Sequence, residues 1–168
     1  MDFGFSVVVA DLFKEKALGE LLEANTKSEE FGLFLTREQA SQLIEVKSAE
    51  LNSAGRIEFG SGALKEIIEA FCDSPYVDRN NYTDFLGEML EIFYSYKNET
   101  LDLISDSDLI GYMKACFNGI CQGSTELLKT RELDELSRQI RSGNYSLSVA
   151  DPVEELIEAA EEDYSEYN

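Results

Sequence analysis

Apolar residues recur at helical spacing along most of the chain. They fall on one face between about Asp11 and Asn25, and they repeat every 3.6 residues or so between Asn81 and Lys97. Only two prolines occur, Pro75 and Pro152, so little interrupts helix formation between them. The pattern predicts a mainly α fold, a single-domain multi-helix bundle of about six or seven helices.

Capping signals mark where several helices begin and end. Thr36 and Gln39 have the spacing of a capping box, and Gly55 is a natural left-handed stop. Ser105 is a further N-cap signal, and the helix that it opens is predicted to reach residue 129. The predicted helices therefore cover about 11–25, 37–54, 63–72, 81–97, 106–129 and 131–141.

Three short segments leave alternatives open. Residues 3–9 alternate in polarity, which fits either a short strand or the start of a helix. Residues 32–35 and 56–59 are short and apolar or alternating, and they flank one predicted helix. They leave room for one short two-stranded β ribbon in the otherwise helical fold.

The C-terminal segment differs from the rest in composition. Residues 151–168 contain eight acidic residues and no basic one, and Asp151-Pro152 is a helix-start signal. The sequence thus predicts a helical domain (1–142), a linker (143–150) and an acidic amphipathic helix (151–168). This helix would dock onto its own body, a second copy or another protein. Its predicted docking residues are Val153, Leu156, Ile157, Ala160 and Tyr164.

Charge restricts the function more than any motif does. The chain has 34 acidic and 14 basic residues, a net charge of −20 and no histidine. Nucleic acids and anionic membranes are bound largely through Lys and Arg, so we expect neither as a partner. The lack of histidine excludes Ser-His-Asp triads and His-ligated metals. We predict no catalytic residue, no metal site and no cofactor.

Cysteine usage and the first residues favour a cytoplasmic location. The three cysteines, Cys72, Cys116 and Cys121, form no C-x-x-C motif, and an odd, sparse count fits a reducing compartment. The apolar run at the start follows no basic stretch and is interrupted by Asp11, unlike a signal peptide. No stretch approaches the roughly 20 apolar residues of a membrane span.

A glycine-rich turn is the first candidate binding site. Gly60, Ser61 and Gly62 precede a predicted helix, an arrangement whose backbone amides and helix dipole favour anions. Lys65 and Arg56 would add positive charge, which makes a phosphate site possible. The P-loop pattern is missing, however, so a flexible turn with a helix cap is the alternative.

A row of small residues is the second candidate. Gly111, Ala115, Gly119 and Gly123 lie four residues apart, and on one helix they would form a single line. Glycines inside a helix are costly, so another interaction should offset them, and close packing of a neighbouring helix is one explanation. The alternative is a smooth groove that accepts a ligand or a partner backbone.

Seven stretches of the sequence carry a further signal. They are Phe31-Gly-Leu33 with Leu35-Thr36, Gly55-Arg-Ile-Glu-Phe-Gly60, Ile68-Glu-Ala-Phe-Cys-Asp-Ser-Pro-Tyr76, Asn81-Tyr82, Phe93-Tyr94, Lys97-Asn-Glu-Thr100 and Cys121-Gln-Gly-Ser124. Together they resemble an uncharacterised family of bacterial proteins, a domain of unknown function. The resemblance covers about residues 10–142, leaves out the acidic tail, and implies a cytoplasmic bacterial protein with no assigned chemistry.

These observations favour a non-enzymatic protein–protein interaction or adaptor module with an acidic surface. The role would be non-enzymatic because no nucleophile–base pair is evident in the sequence. The partner would be another protein or a second copy, and the acidic surface suits a basic partner surface. The alternative is a small-molecule, phosphate or divalent-metal binding protein or enzyme. It would use the glycine-rich turn or the abundant carboxylates.

Overall fold

A computed structural model describes residues 3–58 and 60–143, with side chains described from residue 12 onwards. These residues are mainly α-helical, which confirms the predicted fold class, and none of them belongs to a strand. A 3₁₀ turn (Glu29–Phe31) and a π-helical segment (Leu128–Glu132) complete the regular structure. The α-helices are α1 (Phe3–Glu23), α2 (Asn25–Ser28), α3 (Arg37–Ala54), α4 (Ala63–Phe71), α5 (Tyr82–Glu99), α6 (Asp106–Asn118), α7 (Thr125–Leu127) and α8 (Leu133–Arg141).

Residues 3–9 are helical rather than extended. Helix α1 begins at Phe3, so residues 3–9 form its first turns and not a strand. A strand needs a neighbour that accepts and donates its backbone hydrogen bonds, and none of the described residues forms one. A helix satisfies these groups within the segment itself.

The predicted β ribbon is wrong for the residues that the structure describes. Residues 33–36 and 56–58 have no regular structure, and Phe59 lies outside the described residues. The buried Asn25 side chain replaces a strand neighbour: its Oδ1 accepts from the Leu35 N–H and its Nδ2 donates to the Leu35 carbonyl, both at 2.9 Å. One side-chain amide therefore pairs the backbone that a second strand would have paired.

The capping prediction for α3 is confirmed. Thr36 Oγ1 accepts from the Gln39 N–H at 3.1 Å, and Gln39 Oε1 accepts from the Thr36 N–H at 3.0 Å. Gly55 ends the helix with φ 67°, a left-handed conformation that glycine adopts without a Cβ clash.

The prediction that the helix opened by Ser105 reaches residue 129 is wrong. Helix α6 ends at Asn118, and the chain turns before Ser124 caps the next helix by accepting from the Leu127 N–H. A Cβ on Gly123 would lie 2.5 Å from Tyr76 Cγ, and Gly123 has φ 82°. The close approach of Tyr76 therefore requires a glycine at this position, and the glycine lies in a turn. The apolar spacing of the sequence predicts a continuous helix through the same residues.

Contacts group the described residues into two compact units. The first comprises described residues up to 72 and 78–90, and the second comprises 73–77 and 91–143. In the first unit, Phe71 and Phe85 meet edge to face with centroids 5.5 Å apart. In the second, Tyr76 and Phe117 do so at 5.9 Å. Both contacts are typical of a packed aromatic core.

Candidate functional site

The glycine-rich turn already binds a carboxylate from this chain. Glu20 Oε2, on α1, accepts a 2.7 Å hydrogen bond from the Ser61 N–H. This backbone bond, followed by one from the Ser61 side chain, lowers the pKa of Glu20 below its usual value. A Cβ on Gly60 would lie 2.7 Å from the same oxygen. The turn thus has the predicted affinity for an anion, but the anion is internal.

The other predicted members of the anion site have different surroundings. Lys65 Nζ lies 3.8 Å from Glu23 Oε2, and Arg56 is half-buried directly after the end of α3. Gly62 leaves room for a buried lysine, since a Cβ there would lie 3.0 Å from Lys47 Nζ. These contacts do not favour the phosphate-binding interpretation, because the Ser61 amide and Lys65 both have carboxylate partners from α1.

Lys47 is the residue that the sequence interpretation missed. It is 4% exposed, its Nζ donates to the Gly60 carbonyl at 2.9 Å, and the ammonium lies 3.9 Å from Glu58 Oε2. Burial lowers its pKa from the ordinary lysine value. A signal was present, because Lys47 continues the apolar spacing of Leu43, Ile44 and Leu51 on α3.

An apolar groove of about 420 Å³ lies between α1 and α3. We call it the α1–α3 groove. Phe13 and Ala17 of α1 and Ile44 and Leu51 of α3 form its apolar walls. Its polar lining consists of Lys14, Glu45, Lys47, Ser48 and Glu58. Phe13 is 46% exposed, which is high for a large aromatic side chain in a folded domain.

Two ion pairs connect the helices beside this groove. Lys14 Nζ lies 3.6 Å from Glu45 Oε1, and Arg37 Nη2 lies 2.8 Å from Glu15 Oε2. Both pairs are exposed and add little stability. Lys14 and Glu45 line the groove themselves, so their pairing neutralises one charge of each sign there.

The loop from Thr100 to Ser105 is held in place by a buried lysine. Lys97 Nζ donates to the Ile104 carbonyl at 2.7 Å and lies 2.9 Å from Asp106 Oδ1. Lys97 is 8% exposed and Ile104 is 1% exposed, whereas Leu101 and Leu103 are 66% and 51% exposed. Lys97 thus anchors the backbone of the loop, while two of its apolar side chains are exposed to solvent.

The described cysteines are in environments that suppress the reactivity of their thiols. Cys72, Cys116 and Cys121 are buried and form no disulfide. Burial raises the pKa of Cys116 to about 12 and that of Cys121 to about 11, so neither is a thiolate at neutral pH. Within 3–58 and 60–143, no three His, Cys, Asp or Glu side chains are grouped to hold a metal ion.

The small-residue row does not form one line. Gly111 and Ala115 lie on α6, but Gly119 follows its last residue with φ −91° and ψ −108°, and Gly123 is in the turn. The helical geometry behind the groove hypothesis is therefore missing beyond Asn118. The linker and the tail docking residues Val153, Leu156, Ile157, Ala160 and Tyr164 lie outside the described residues, and their roles stay predictions.

The fold and these surfaces define an acidic, mainly α protein with a half-open apolar groove on one compact unit. None of the described helices has the length and apolar composition needed to cross a membrane. Residues 20–146 match the model of a family of unknown function, DUF6323, and the chain belongs to this family. This confirms the resemblance noted in the sequence. No curated protein and no solved structure matches the chain.

Proposed function

We propose that this protein is a non-enzymatic protein–protein interaction module of the cytoplasm. Its α1–α3 groove would take the apolar side of a basic helix from a partner. The observation that carries the proposal is the groove itself, an apolar cavity whose wall includes the half-exposed Phe13. Amphipathic helices commonly bind such grooves through side chains at i, i+3, i+4 and i+7.

Charge favours a basic partner over an acidic one. The chain carries a net charge of −20, and Lys14 in the groove lining is already paired with Glu45. A lysine-rich helix would be attracted by this field, while an acidic segment such as residues 151–168 would be repelled. The buried, unreactive thiols support a binding role rather than covalent catalysis.

The test is titration of a synthetic helical peptide into the full chain. The peptide contains only leucine and lysine, has one apolar side and spans about five helical turns, or 18 residues. A peptide with glutamate in place of lysine is the charge control. Binding is followed by fluorescence anisotropy at physiological salt, where non-specific attraction between exposed charges is screened.

A matched pair of variants separates groove binding from general attraction. Phe13→Glu places a charge in the groove wall, and Phe31→Glu makes the same change at a side chain that is 47% exposed and does not line the groove. We expect Phe13→Glu to weaken binding about tenfold or more, equivalent to about 1.4 kcal/mol. Phe31→Glu should change binding less than twofold. Equal effects of the two variants would refute the groove as the docking site.

A further inference from the structure

Three of the described helical segments end in the same hydrogen-bond pattern. In each, one amide bonds to the carbonyl five residues earlier and the preceding amide bonds to the carbonyl three residues earlier, as in a Schellman motif. The residue at the left-handed position is Gly32 (φ 76°), Gly55 (φ 67°) or Leu101 (φ 56°). In these three segments glycine occupies the position twice and leucine once, with the same backbone geometry.

Leucine at this left-handed position lowers the stability of the folded state, and its exposed side chain restores little of the loss. An L-residue in the left-handed region brings its Cβ too close to the following carbonyl, a strain that glycine avoids. Leu101 is 66% exposed, so burial of its side chain offsets little of that strain. The next residue, Asp102, also has a positive φ of 59°. Strain that persists in an exposed position is characteristic of functional segments.

Contacts at both ends anchor the strained loop. Thr100 is fully buried and its Oγ1 donates to the Tyr96 carbonyl at 2.7 Å. On the other side, the Lys97 ammonium donates to the Ile104 carbonyl and pairs with Asp106. The anchored loop backbone therefore holds Leu101 and Leu103 in position, which reduces the loss of conformational entropy on binding.

The charges beside the two leucines indicate what kind of surface would accept them. Asp102 lies between them and its side chain is 54% exposed, and Asp106 and Glu99 are 42% and 52% exposed. Lys97 pairs with both aspartates, and Arg141 pairs with Glu99. Lys97 is buried and the Arg141 side chain is 45% exposed, so carboxylates make up most of the exposed charge beside the leucines. An apolar pocket with a basic rim complements this arrangement, and an acidic rim would be repelled.

We propose that the 100–105 loop is a docking element whose Leu101 and Leu103 insert into an apolar pocket with a basic rim on a partner protein. This docking element rests on the proposed function only in that the protein binds other proteins. It concerns a different surface, so loss of peptide binding at the α1–α3 groove would leave it untouched.

The first experiment exchanges the residues at two matched positions. Leu101→Gly removes the strain, and we expect its Tm to rise by about 2–4 °C. Gly55→Leu introduces the same strain where no atom lies within 4 Å of the new Cβ, so its Tm should fall by a similar amount. If Leu101→Gly leaves the Tm unchanged or lowers it, the leucine has a structural role and the proposal is wrong.

The second experiment identifies the partner and measures its affinity. A photo-cross-linking residue replaces Leu103 in the full chain, expressed in the cells that make this protein, with Leu127 as the control position (39% exposed). The captured protein is identified by mass spectrometry, purified and titrated with the unlabelled chain. Leu101→Gly and Leu103→Ala should each raise Kd at least about tenfold, whereas Gly55→Leu should leave Kd unchanged.

Each remaining outcome also decides the question. A Kd that rises with salt supports the basic rim, and a salt-insensitive Kd contradicts it. No adduct at position 103, an equal adduct at position 127, or an adduct of two copies of this chain would each overturn the proposal.

Discussion

The Glu20 carboxylate accepts a 2.7 Å hydrogen bond from the Ser61 N–H and thereby occupies the anion-binding position of the glycine-rich turn. The two residues are 41 positions apart, so this bond connects α1 to the segment that opens α4. The Ser61 amide is satisfied by a partner that the unfolded chain does not hold in place. The strongest ligand-like motif of the sequence is therefore explained by a tertiary contact.

The first prediction concerns the pH dependence of this contact. Hydrogen bonds from Ser61 lower the folded-state pKa of Glu20, so the stabilisation is present above the unfolded value of about 4.5 and is lost as the pH falls through the folded value. Glu20→Gln should reduce the free energy of unfolding at neutral pH by about 1 kcal/mol or less, given solvent screening. Urea unfolding at several pH values measures the difference.

The same titration contains its own control. The difference between wild type and Glu20→Gln should shrink as the pH falls below 4.5, because the wild-type carboxyl then becomes neutral. Glu23→Gln, at a side chain that is 73% exposed, should have little effect at any pH. A Glu20→Gln difference that stays constant with pH would contradict the assignment.

A second prediction concerns the turn after α6. A Cβ on Gly123 would lie within 2.8 Å of three Tyr76 atoms, while Gly32, with a similar φ of 76°, has open space around it. Gly32→Ala should therefore cost only the left-handed strain, about 1–2 kcal/mol. Gly123→Ala should cost about 1–3 kcal/mol more, because the tyrosine must also move. Thermal unfolding of the two variants compares them, and equal losses would show that Tyr76 gives way freely.

A third prediction concerns the capping box of α3. Thr36→Ala removes the acceptor for the Gln39 N–H and should lower the free energy of unfolding by about 1 kcal/mol. Thr36→Ser keeps a hydroxyl at the same position and should recover most of the loss. Chemical unfolding of both variants measures this, and a serine variant as unstable as the alanine variant would argue against the capping contribution.

A fourth prediction concerns the thiols of the second unit. Burial raises the pKa of Cys116 to about 12 and of Cys121 to about 11, so both remain protonated in the folded protein at mildly alkaline pH. We expect a thiol reagent to label them only at the rate of local or global unfolding, and mild denaturant should accelerate the labelling. Mass mapping identifies the sites. Rapid labelling of either residue in the native protein would contradict the burial-based pKa shifts.

Local signals in the sequence were sufficient for several features of the fold. Thr36 and Gln39 cap α3, Gly55 ends it and Ser105 caps α6, as their spacing predicted. These features depend on atoms within four or five residues of one another, and the helical period of the apolar residues adds the mainly α class. The helical period also places Lys47 on the apolar face of α3, with Leu43 and Leu51. That position is the local signal for its burial.

Contacts between distant residues decided the rest. Asn25 pairs the backbone of Leu35 in place of a second strand, Tyr76 approaches Gly123 where the helical pattern continued, and Glu20 fills the Ser61 turn. The sequence by itself determined where helices are favoured, because capping and periodicity act locally. Only the tertiary structure determined which amides remain for a ligand and which leucines remain in solvent, because both depend on what packs nearby.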